Sequence, residues 1–245
     1  MTRFGAHGIA LICGIAMTAS ATVSSHAADP PEKWVPLPDY KQRFTELVSG
    51  WYVRGDIGWR KQTIGTVETP APLFATEWSL ESTPTFGFGG GYKYKWFRMD
   101  ATLDYGSLAR FRADTATTAD YYTAKIDSFT LLANLYLDLG EWGGFTPYVG
   151  AGVGTSNLRV HQYTNLSIIE PADGVVDTSR WTLSWAVTGG VAYRFAPNLV
   201  LDVNYRYLNL GDAQSGPEPP AYTNRTFFRE MTAQEVRVGL RLLLD

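Results

Sequence analysis

Charged residues recur at every second position in several segments, a spacing that could build an internal network of ion pairs. Arg54 and Asp56 share one parity of the segment GWYVRGDIGWRKQ, while Trp51 and Trp59 share the other. A period of two is typical of a β-strand, whose side chains point alternately to its two faces. Later segments repeat the pattern, and together they give this candidate set: Arg54, Asp56, Arg60, Arg98, Asp100, Asp104, Arg194, Asp202, Arg206, Glu235, Arg237 and Arg241. Since the set contains both signs of charge, we expect its members to pair.

Catalytic chemistry finds little support in the sequence. His161 has Ser156, Ser167 and Glu170 close by along the chain, but no nucleophile motif surrounds them. A catalytic triad is defined by geometry and not by sequence proximity, and a solvated loop histidine is the commoner case. We therefore predict that the protein is not an enzyme.

Cofactor and metal sites are not predicted either. The glycines of GFGGGY and GAGVG lie inside strand-like segments, without the following helix that dinucleotide binding requires. Asp173 and Asp177 lack the acidic spacing of a calcium loop. The chain has one cysteine, Cys13, so disulfides and thiolate metal sites are not expected.

Eight alternating segments are available to position the charged set. Most are longer than the roughly 9–11 residues that a tilted strand needs to cross a bilayer, whereas strands of globular proteins average about five or six. The predicted strands are Gly50–Thr63, Thr83–Lys95, Phe97–Ser107, Ile126–Leu139, Thr146–Asn157, Trp181–Phe195, Leu199–Asn209 and Met231–Leu244.

The connections between these segments alternate strictly between short and long. The short ones are Trp96, Gly140–Phe145 and Ala196–Asn198, and the long ones are Ile64–Ser82, Leu108–Lys125, Leu158–Arg180 and Leu210–Glu230. Bacterial outer-membrane barrels have this asymmetry, with short periplasmic turns and long external loops. The sequence therefore predicts an all-β fold: an eight-stranded antiparallel up-and-down transmembrane β-barrel with four long external loops.

The two parities also indicate which side faces inward. In the sixth segment Trp181, Leu183 and Trp185 alternate with the small residues Thr182 and Ser184, which suit a narrow interior. A charge on the lipid face at the bilayer midplane costs about 2–4 kcal/mol for Lys or Arg, so lipid would enforce this segregation. Aromatic residues near strand ends fit interfacial girdles: Trp51, Trp59, Phe86, Trp96, Tyr105, Trp181, Phe195 and Tyr207.

The chain divides into three parts by composition. Residues 1–27 carry Arg3, an apolar core and Ser25-His26-Ala27, which is the layout of a secretory signal peptide. Residues 28–49 contain four prolines and are predicted to be a periplasmic linker, and residues 50–245 are predicted to form the barrel. The net charge of −3, without a basic run, gives no case for nucleic acid.

Four segments carry a family resemblance: GWYVRGDIGWR, FGFGGGYKYKWFRMDATLDY, PYVGAGVGTS and LDVNYRYLNLGD. They resemble the small outer-membrane β-barrel proteins of alphaproteobacteria, the Omp25/Omp31-like group of the porin family. The resemblance implies an eight-stranded outer-membrane barrel with roles in envelope integrity and host contact, and haem binding in some members. The chain departs from the family at its last residue, because Asp245 stands where an aromatic residue is usual.

We thus expect a structural outer-membrane protein whose lumen is plugged by ion pairs. Its expected partners are outer-membrane lipid and lipopolysaccharide, and the sequence leaves the oligomeric state open. The sequence is also compatible with two alternatives: a narrow diffusion pore, and a surface receptor for haem or a host molecule that uses a loop such as Leu158–Arg180.

Overall fold

The computed structural model describes residues 49–68, 75–115, 121–166, 176–217 and 225–244. The predicted signal peptide and nearly all of the predicted linker lie outside these residues, so both stay predictions. None of the described residues belongs to a helix that is long and apolar enough to span a membrane.

Ten strands make up the described part of the chain, and every pairing between them is antiparallel. Their bounds are β1 Gly50–Thr63, β2 Thr66–Glu68, β3 Ala75–Leu80, β4 Thr83–Tyr94, β5 Phe97–Thr115, β6 Tyr121–Asp138, β7 Phe145–Leu166, β8 Thr178–Ala196, β9 Leu199–Gln214 and β10 Phe227–Leu244.

The sheet closes on itself as an eight-stranded barrel. Each long strand pairs with the next along the chain, and β1 pairs with both β4 and β10. The closing register runs from Trp51 opposite Leu244 to Thr63 opposite Thr232. The short strands β2 and β3 pair with β10 and β5, where they prolong the walls formed by β1 and β4. The predicted fold class is confirmed.

The three short connections lie at one end of the barrel, as predicted. Lys95 and Trp96 form the turn between β4 and β5, and Pro197 and Asn198 form the turn between β8 and β9. The turn between β6 and β7 contains Gly140, Gly143 and Gly144, all with positive φ, a region that glycine adopts without steric cost.

The predicted long loops are wrong in extent, because strands occupy much of them. For example, β7 continues to Leu166 instead of ending at Asn157, and β5 continues to Thr115 instead of Ser107. In these extensions the polarity of the two faces is reversed: Phe111 and Ala113 point inward and are buried, whereas Arg112 is exposed on the outer face. The wall therefore continues beyond the apolar surface as an ordinary water-exposed barrel.

The outer surface between the two ends of the barrel is apolar. Trp185 is 43% exposed, whereas Asp202 of the neighbouring strand is 2% exposed and points into the lumen. The same division holds on β1, where Trp51 is 65% exposed and Arg54 is 8% exposed. Six of the predicted girdle aromatics are strongly exposed on this surface: Trp51, Trp59, Phe86, Trp96, Trp181 and Phe195.

Candidate functional site

The centre of the lumen is a cluster of ion pairs around Glu235. Its carboxylate accepts hydrogen bonds from Arg60 Nε at 2.5 Å, Arg206 Nε at 2.7 Å and Arg237 Nη1 at 2.9 Å. β1 supplies Arg60, β9 supplies Arg206 and β10 supplies the other two, so the cluster ties the closing pair of strands to their neighbour. Both Arg60 and Glu235 are fully buried.

Asp104 extends this cluster to the opposite wall. Arg206 Nη1 lies 2.9 Å from Asp104 Oδ2, and Arg237 Nη2 lies 2.6 Å from Asp104 Oδ1. Arg237 also donates to Asp56. Because β5 lies across the barrel from β9 and β10, these contacts fill the lumen from wall to wall.

A second group centres on Asp100, one layer closer to the short turns. Arg54 Nη2 lies 3.1 Å from Asp56 Oδ2, and Arg54 Nη1 lies 3.4 Å from Asp100 Oδ2. Asp100 also accepts hydrogen bonds from Tyr52 Oη at 3.0 Å and from Asn134 Nδ2 at 2.9 Å. Arg54, Tyr52 and Asn134 thus provide hydrogen bonds to carboxylates whose burial would otherwise be costly.

The layer nearest the short turns contains residues that the sequence prediction did not include. Asp138 accepts hydrogen bonds from Lys93 Nζ at 2.5 Å and from Arg98 Nε at 2.8 Å. The Arg98 guanidinium lies between two aromatic rings, 4.8 Å from the Tyr136 centroid and 4.4 Å from the Tyr148 centroid. The signal was present, because Lys93 continues the inward parity of the glycines in GFGGGYKY.

Asp202 completes the network near the closing strands. It accepts hydrogen bonds from Arg241 on β10 and from the Tyr148 hydroxyl on β7, and from Asn204 Nδ2 at 3.0 Å. Eleven of the twelve predicted residues are therefore buried in the lumen and form ion pairs there.

Arg194 is the exception, and its predicted place in the network is wrong. It is half-buried near the end of β8, opposite Val200, and forms no ion pair with any described residue. The physical reason is its position at the rim beside the short turn, next to a register shift between Arg194 and Ala196. Water can solvate a charge at that level, so no carboxylate is required.

Hydroxyl groups form the next layer towards the long connections. Arg60 Nη1 donates to Ser128 Oγ at 2.7 Å. Ser156 Oγ lies 2.8 Å from Thr130 Oγ1 and 2.7 Å from Ser184 Oγ, so the hydroxyls satisfy one another. This layer separates the ion pairs from an apolar region above it.

An apolar cluster closes the lumen above the hydroxyl layer. Phe111 and Phe228 pack edge to face with their ring centroids 5.0 Å apart, and both are almost completely buried. The cluster contains Ile64, Val67, Phe111, Ala113, Tyr122, Ala124, Ile126, Leu132, Leu158, Val160, Tyr163, Ala186, Leu208, Leu210, Ala213, Phe228, Met231 and Ala233. The residues described thus fill the barrel with salt bridges at one end and hydrocarbon at the other.

His161 and Ser156 are close in the sequence but lie on opposite faces of the barrel wall. Ser156 points into the lumen, whereas His161 lies on the outer face with Nε2 2.9 Å from Asp127 Oδ1 and Nδ1 2.8 Å from Asp177 Oδ2. Ser167 and Glu170 lie outside the described residues. The geometry therefore assembles no serine triad from Ser156 and His161.

Both partners of His161 change its titration. His161 lies eight residues beyond Val153, the last strongly exposed apolar residue of β7, and so lies outside the apolar belt. Its hydrogen bond to Asp177, followed by that to Asp127, raises the pKa of the imidazole above 6.5. The same contact, together with the Gln162 backbone N–H, lowers the pKa of the Asp177 carboxyl. The described residues contain no cluster of three or more His, Cys, Asp or Glu that could hold a metal ion.

Two solved structures share this architecture. Neisserial surface protein A is 18% identical, with a TM-score of 0.51, over 80% of this chain and 99% of that one. The outer membrane protein OprG from Pseudomonas aeruginosa is 14% identical, with a TM-score of 0.54, over 81% of this chain and 98% of that one. At these identities the likeness shows the fold alone.

Sequence relatives point to the same class of protein. An uncharacterised protein of Brucella suis is 28% identical over 237 residues, which cover 82% of this chain and 80% of the relative. The outer membrane protein PagN of Salmonella typhimurium is 29% identical over 159 residues, which cover 55% of this chain and 65% of PagN. Residues 13–240 match the family described as the outer membrane protein beta-barrel domain. The chain therefore belongs to this outer-membrane β-barrel family, and it is a protein of the outer membrane.

Proposed function

We propose that this protein has a structural role, in which it supports the integrity of the outer membrane and presents its external segments at the cell surface. The single observation that carries the proposal is the filled lumen. Glu235, Arg60 and Arg237 are at most 1% exposed at its centre, and the Phe111–Phe228 pair closes the barrel above them. An eight-stranded barrel is just wide enough for side chains to fill, so this arrangement leaves a permanent aqueous channel no room.

The ion-pair network supports a mechanical role. Breaking a buried charge pair costs about 3–5 kcal/mol, because the remaining charge is left uncompensated in a medium of low polarity. Contacts from β1, β5, β9 and β10 meet at the carboxylates of Glu235 and Asp104. Such a cross-linked interior resists lateral deformation of the barrel and suits a protein that stiffens its membrane.

A planar lipid bilayer tests this proposal against the alternative of a narrow diffusion pore. The refolded wild-type barrel is expected to give no steady current steps. Insertion is checked separately, by flotation of the folded protein with the lipid vesicles that are fused to the bilayer, so that absence of current steps cannot result from absence of inserted protein. Steady steps from the wild-type protein would favour the pore and overturn the structural role.

Envelope integrity is tested in the native bacterium. A deletion strain is expected to take up more of a large apolar dye and to grow less well in detergent than its parent. The wild-type gene should restore both properties. A deletion strain that is indistinguishable from the parent in both assays would contradict the proposed role.

We also propose the narrower assignment of the chain to the Omp25/Omp31-like group. Its support is the set of motifs beginning with GWYVRGDIGWR, together with the Brucella relatives. The proposal does not extend haem binding to this chain. His161 makes hydrogen bonds through both ring nitrogens, so an iron ligand could form only if the contact with Asp127 or Asp177 were broken.

A further inference from the structure

Two cationic side chains and a histidine lie in a row on the outer face of the barrel. In the strand register Arg110 of β5 stands opposite Lys125 of β6, and Lys125 stands opposite His161 of β7. Side chains directly opposite each other on neighbouring strands have Cβ atoms about 4.5–5.5 Å apart, and like charges in such a pair are destabilising. Asp127 and Asp177 balance His161, whereas Arg110 and Lys125 place two positive charges side by side.

The first two members of the row have no partner among the described residues. Neither the Arg110 nor the Lys125 side chain forms an ion pair or hydrogen bond with any part of the chain that the structure describes. Their cationic neighbours are engaged instead. Arg112 pairs with Asp114 at 3.1 Å, and Arg159 pairs with Asp127. Arg110 and Lys125 thus have free donors directed at the same space.

That space is an open cleft of about 730 Å³. Arg110, Lys125 and Arg112 line it together with the hydrogen-bonding side chains of Thr123, Gln162 and Thr164. One described carboxylate, that of Glu81, also lines the cleft and would weaken the binding of an anion. A guanidinium beside an ammonium matches a phosphate group, because arginine binds phosphate oxygens in pairs and lysine adds a mobile point charge.

The position of the cleft relative to the apolar belt indicates which kind of phosphate compound it would bind. Directly below Arg110 the outer face of β5 carries Leu108, which is 48% exposed. Below Lys125 the outer face of β6 carries first Asp127, a buried carboxylate that contacts Arg159 and His161, and then Phe129 and Leu131, which is 51% exposed. Arg110 and Lys125 therefore lie just above the apolar belt. A ligand with an anionic head and acyl chains would contact the cleft and the belt at the same time.

We propose that this cleft binds a phosphate group of an outer-leaflet glycolipid, with Arg110 and Lys125 as its main contacts. The inference rests on the proposed function only in that it needs the barrel to lie in the outer membrane with its long connections outside. It adds a specific lipid ligand and a specific face of the barrel, centred on β5 to β7.

Binding to lipid A tests the proposal in detergent micelles that contain the folded barrel. The probes are bisphosphorylated lipid A, enzymatically dephosphorylated lipid A and inorganic phosphate, and intact-complex mass spectrometry counts bound lipid. The test variant carries Arg110→Gln and Lys125→Gln. The matched control carries Lys61→Gln and Lys95→Gln, which remove the same charge from exposed sites elsewhere on the barrel.

The test variant is expected to bind bisphosphorylated lipid A about tenfold more weakly than the wild-type protein and the control. Its affinity for this lipid should also depend much less on the salt concentration. Dephosphorylated lipid A should bind weakly and equally to all three. Glu81→Gln should strengthen binding of the phosphorylated lipid, because it removes a negative charge from the cleft. A misfolded variant would not show such an increase in affinity.

Equal affinity of the test variant and the control for phosphorylated lipid A would overturn the proposal. So would inorganic phosphate binding as tightly as the lipid, because the cleft would then be a site for the free anion. Neither result bears on the structural role, whose failure would show as steady conductance by the wild-type barrel.

Discussion

Arg60 on β1 and Glu235 on β10 stand directly opposite each other in the closing register, and their side chains meet inside the lumen with Nε 2.5 Å from Oε1. The pair joins the first and last long strands of the barrel at the centre of its ion network. Glu235 also forms ion pairs with Arg206 and Arg237, so one carboxylate interacts with three guanidinium groups. Closure of the sheet therefore brings Arg60 to the carboxylate that neutralises it.

Glu235→Gln should destabilise the barrel by about 3–5 kcal/mol, because three buried arginines lose their shared negative charge. Equilibrium unfolding by urea in lipid vesicles, followed by tryptophan fluorescence, measures the loss. Glu77→Gln is the matched control, since Glu77 is exposed on β3 and its substitution should change the free energy of unfolding by less than about 0.5 kcal/mol. Equal effects of the two substitutions would contradict the central role given to Glu235.

Two glycines of neighbouring strands should respond differently to alanine. A Cβ at Gly154 of β7 would lie 1.9 Å from the Leu131 carbonyl oxygen, whereas a Cβ at Gly189 of β8 would meet nothing within 4 Å. Gly154→Ala should cost about 1–3 kcal/mol, because backbone must move to accommodate the methyl group. Gly189→Ala should be neutral or stabilising by about 0.4–1 kcal/mol, since it restricts the unfolded chain. The same urea titration measures both changes in the free energy of unfolding. An unchanged free energy for Gly154→Ala would show that the interior can accommodate an additional methyl group.

The apolar cluster can be tested with two adjacent phenylalanines on β10. Phe228→Ala should lower the free energy of unfolding by about 3–5 kcal/mol, because it removes the ring that packs on Phe111 and leaves a cavity. Phe227→Ala provides the control, since Phe227 is only half-buried and points outward beside Arg229. Thermal denaturation in detergent should separate the two variants clearly, and similar losses would argue against a packed upper lumen.

The contact of His161 with Asp177 should depend on pH. Since the folded state raises the pKa of His161 above 6.5, the stabilisation is fully present below pH 6.5 and is lost as the pH rises through the raised pKa. Titration of the His161 ring by NMR should give a midpoint above 6.5.

Asp177→Asn removes the contact that contributes most to this shift, and the midpoint should then move back towards 6.5. Asp114→Asn, on an exposed site away from the imidazole, should leave the midpoint where it is in the wild-type protein. An unshifted His161 in the wild-type protein, or identical midpoints in both variants, would contradict the hydrogen bond between His161 and Asp177.

The sequence was sufficient to predict the membrane-facing part of the barrel but not its upper wall. On β1 and β8 the contact with lipid requires apolar residues on the outer face, so apolar residues alternate with polar or small ones and the sequence shows this pattern directly. Above the belt the outer face is exposed to water and the inner face is apolar. Phe111 therefore points inward and Arg112 outward, whereas within the belt Met99 points outward and Arg98 inward. A register shift between Gly106 and Ala109 also breaks the parity of β5 at the boundary. The predicted strands are therefore too short at the upper end in six of the eight cases, and only β1 and β4 have the predicted upper bound.

Membership of the ion network was largely predictable, whereas its pairing was not. Inward parity identifies a charged residue as part of the lumen, but the partners of Arg54 or Arg237 lie across the barrel and depend on tilt and register. Lys93 and Asp138 were missed because they stand near strand ends, where a charge is ordinarily solvated. Arg194 was wrongly included because it has the inward parity, although it lies at a strand end where water solvates its charge.

The ion network also has a consequence for how the barrel enters the membrane. Arg60 lies 175 residues before Glu235 in the sequence, and Arg206 and Arg241 likewise find carboxylates on β10 and β9. An open sheet would expose the Arg60 guanidinium to hydrocarbon without its carboxylate, which is costly. We therefore expect β1 and β10 to pair before or during insertion of the barrel into the bilayer.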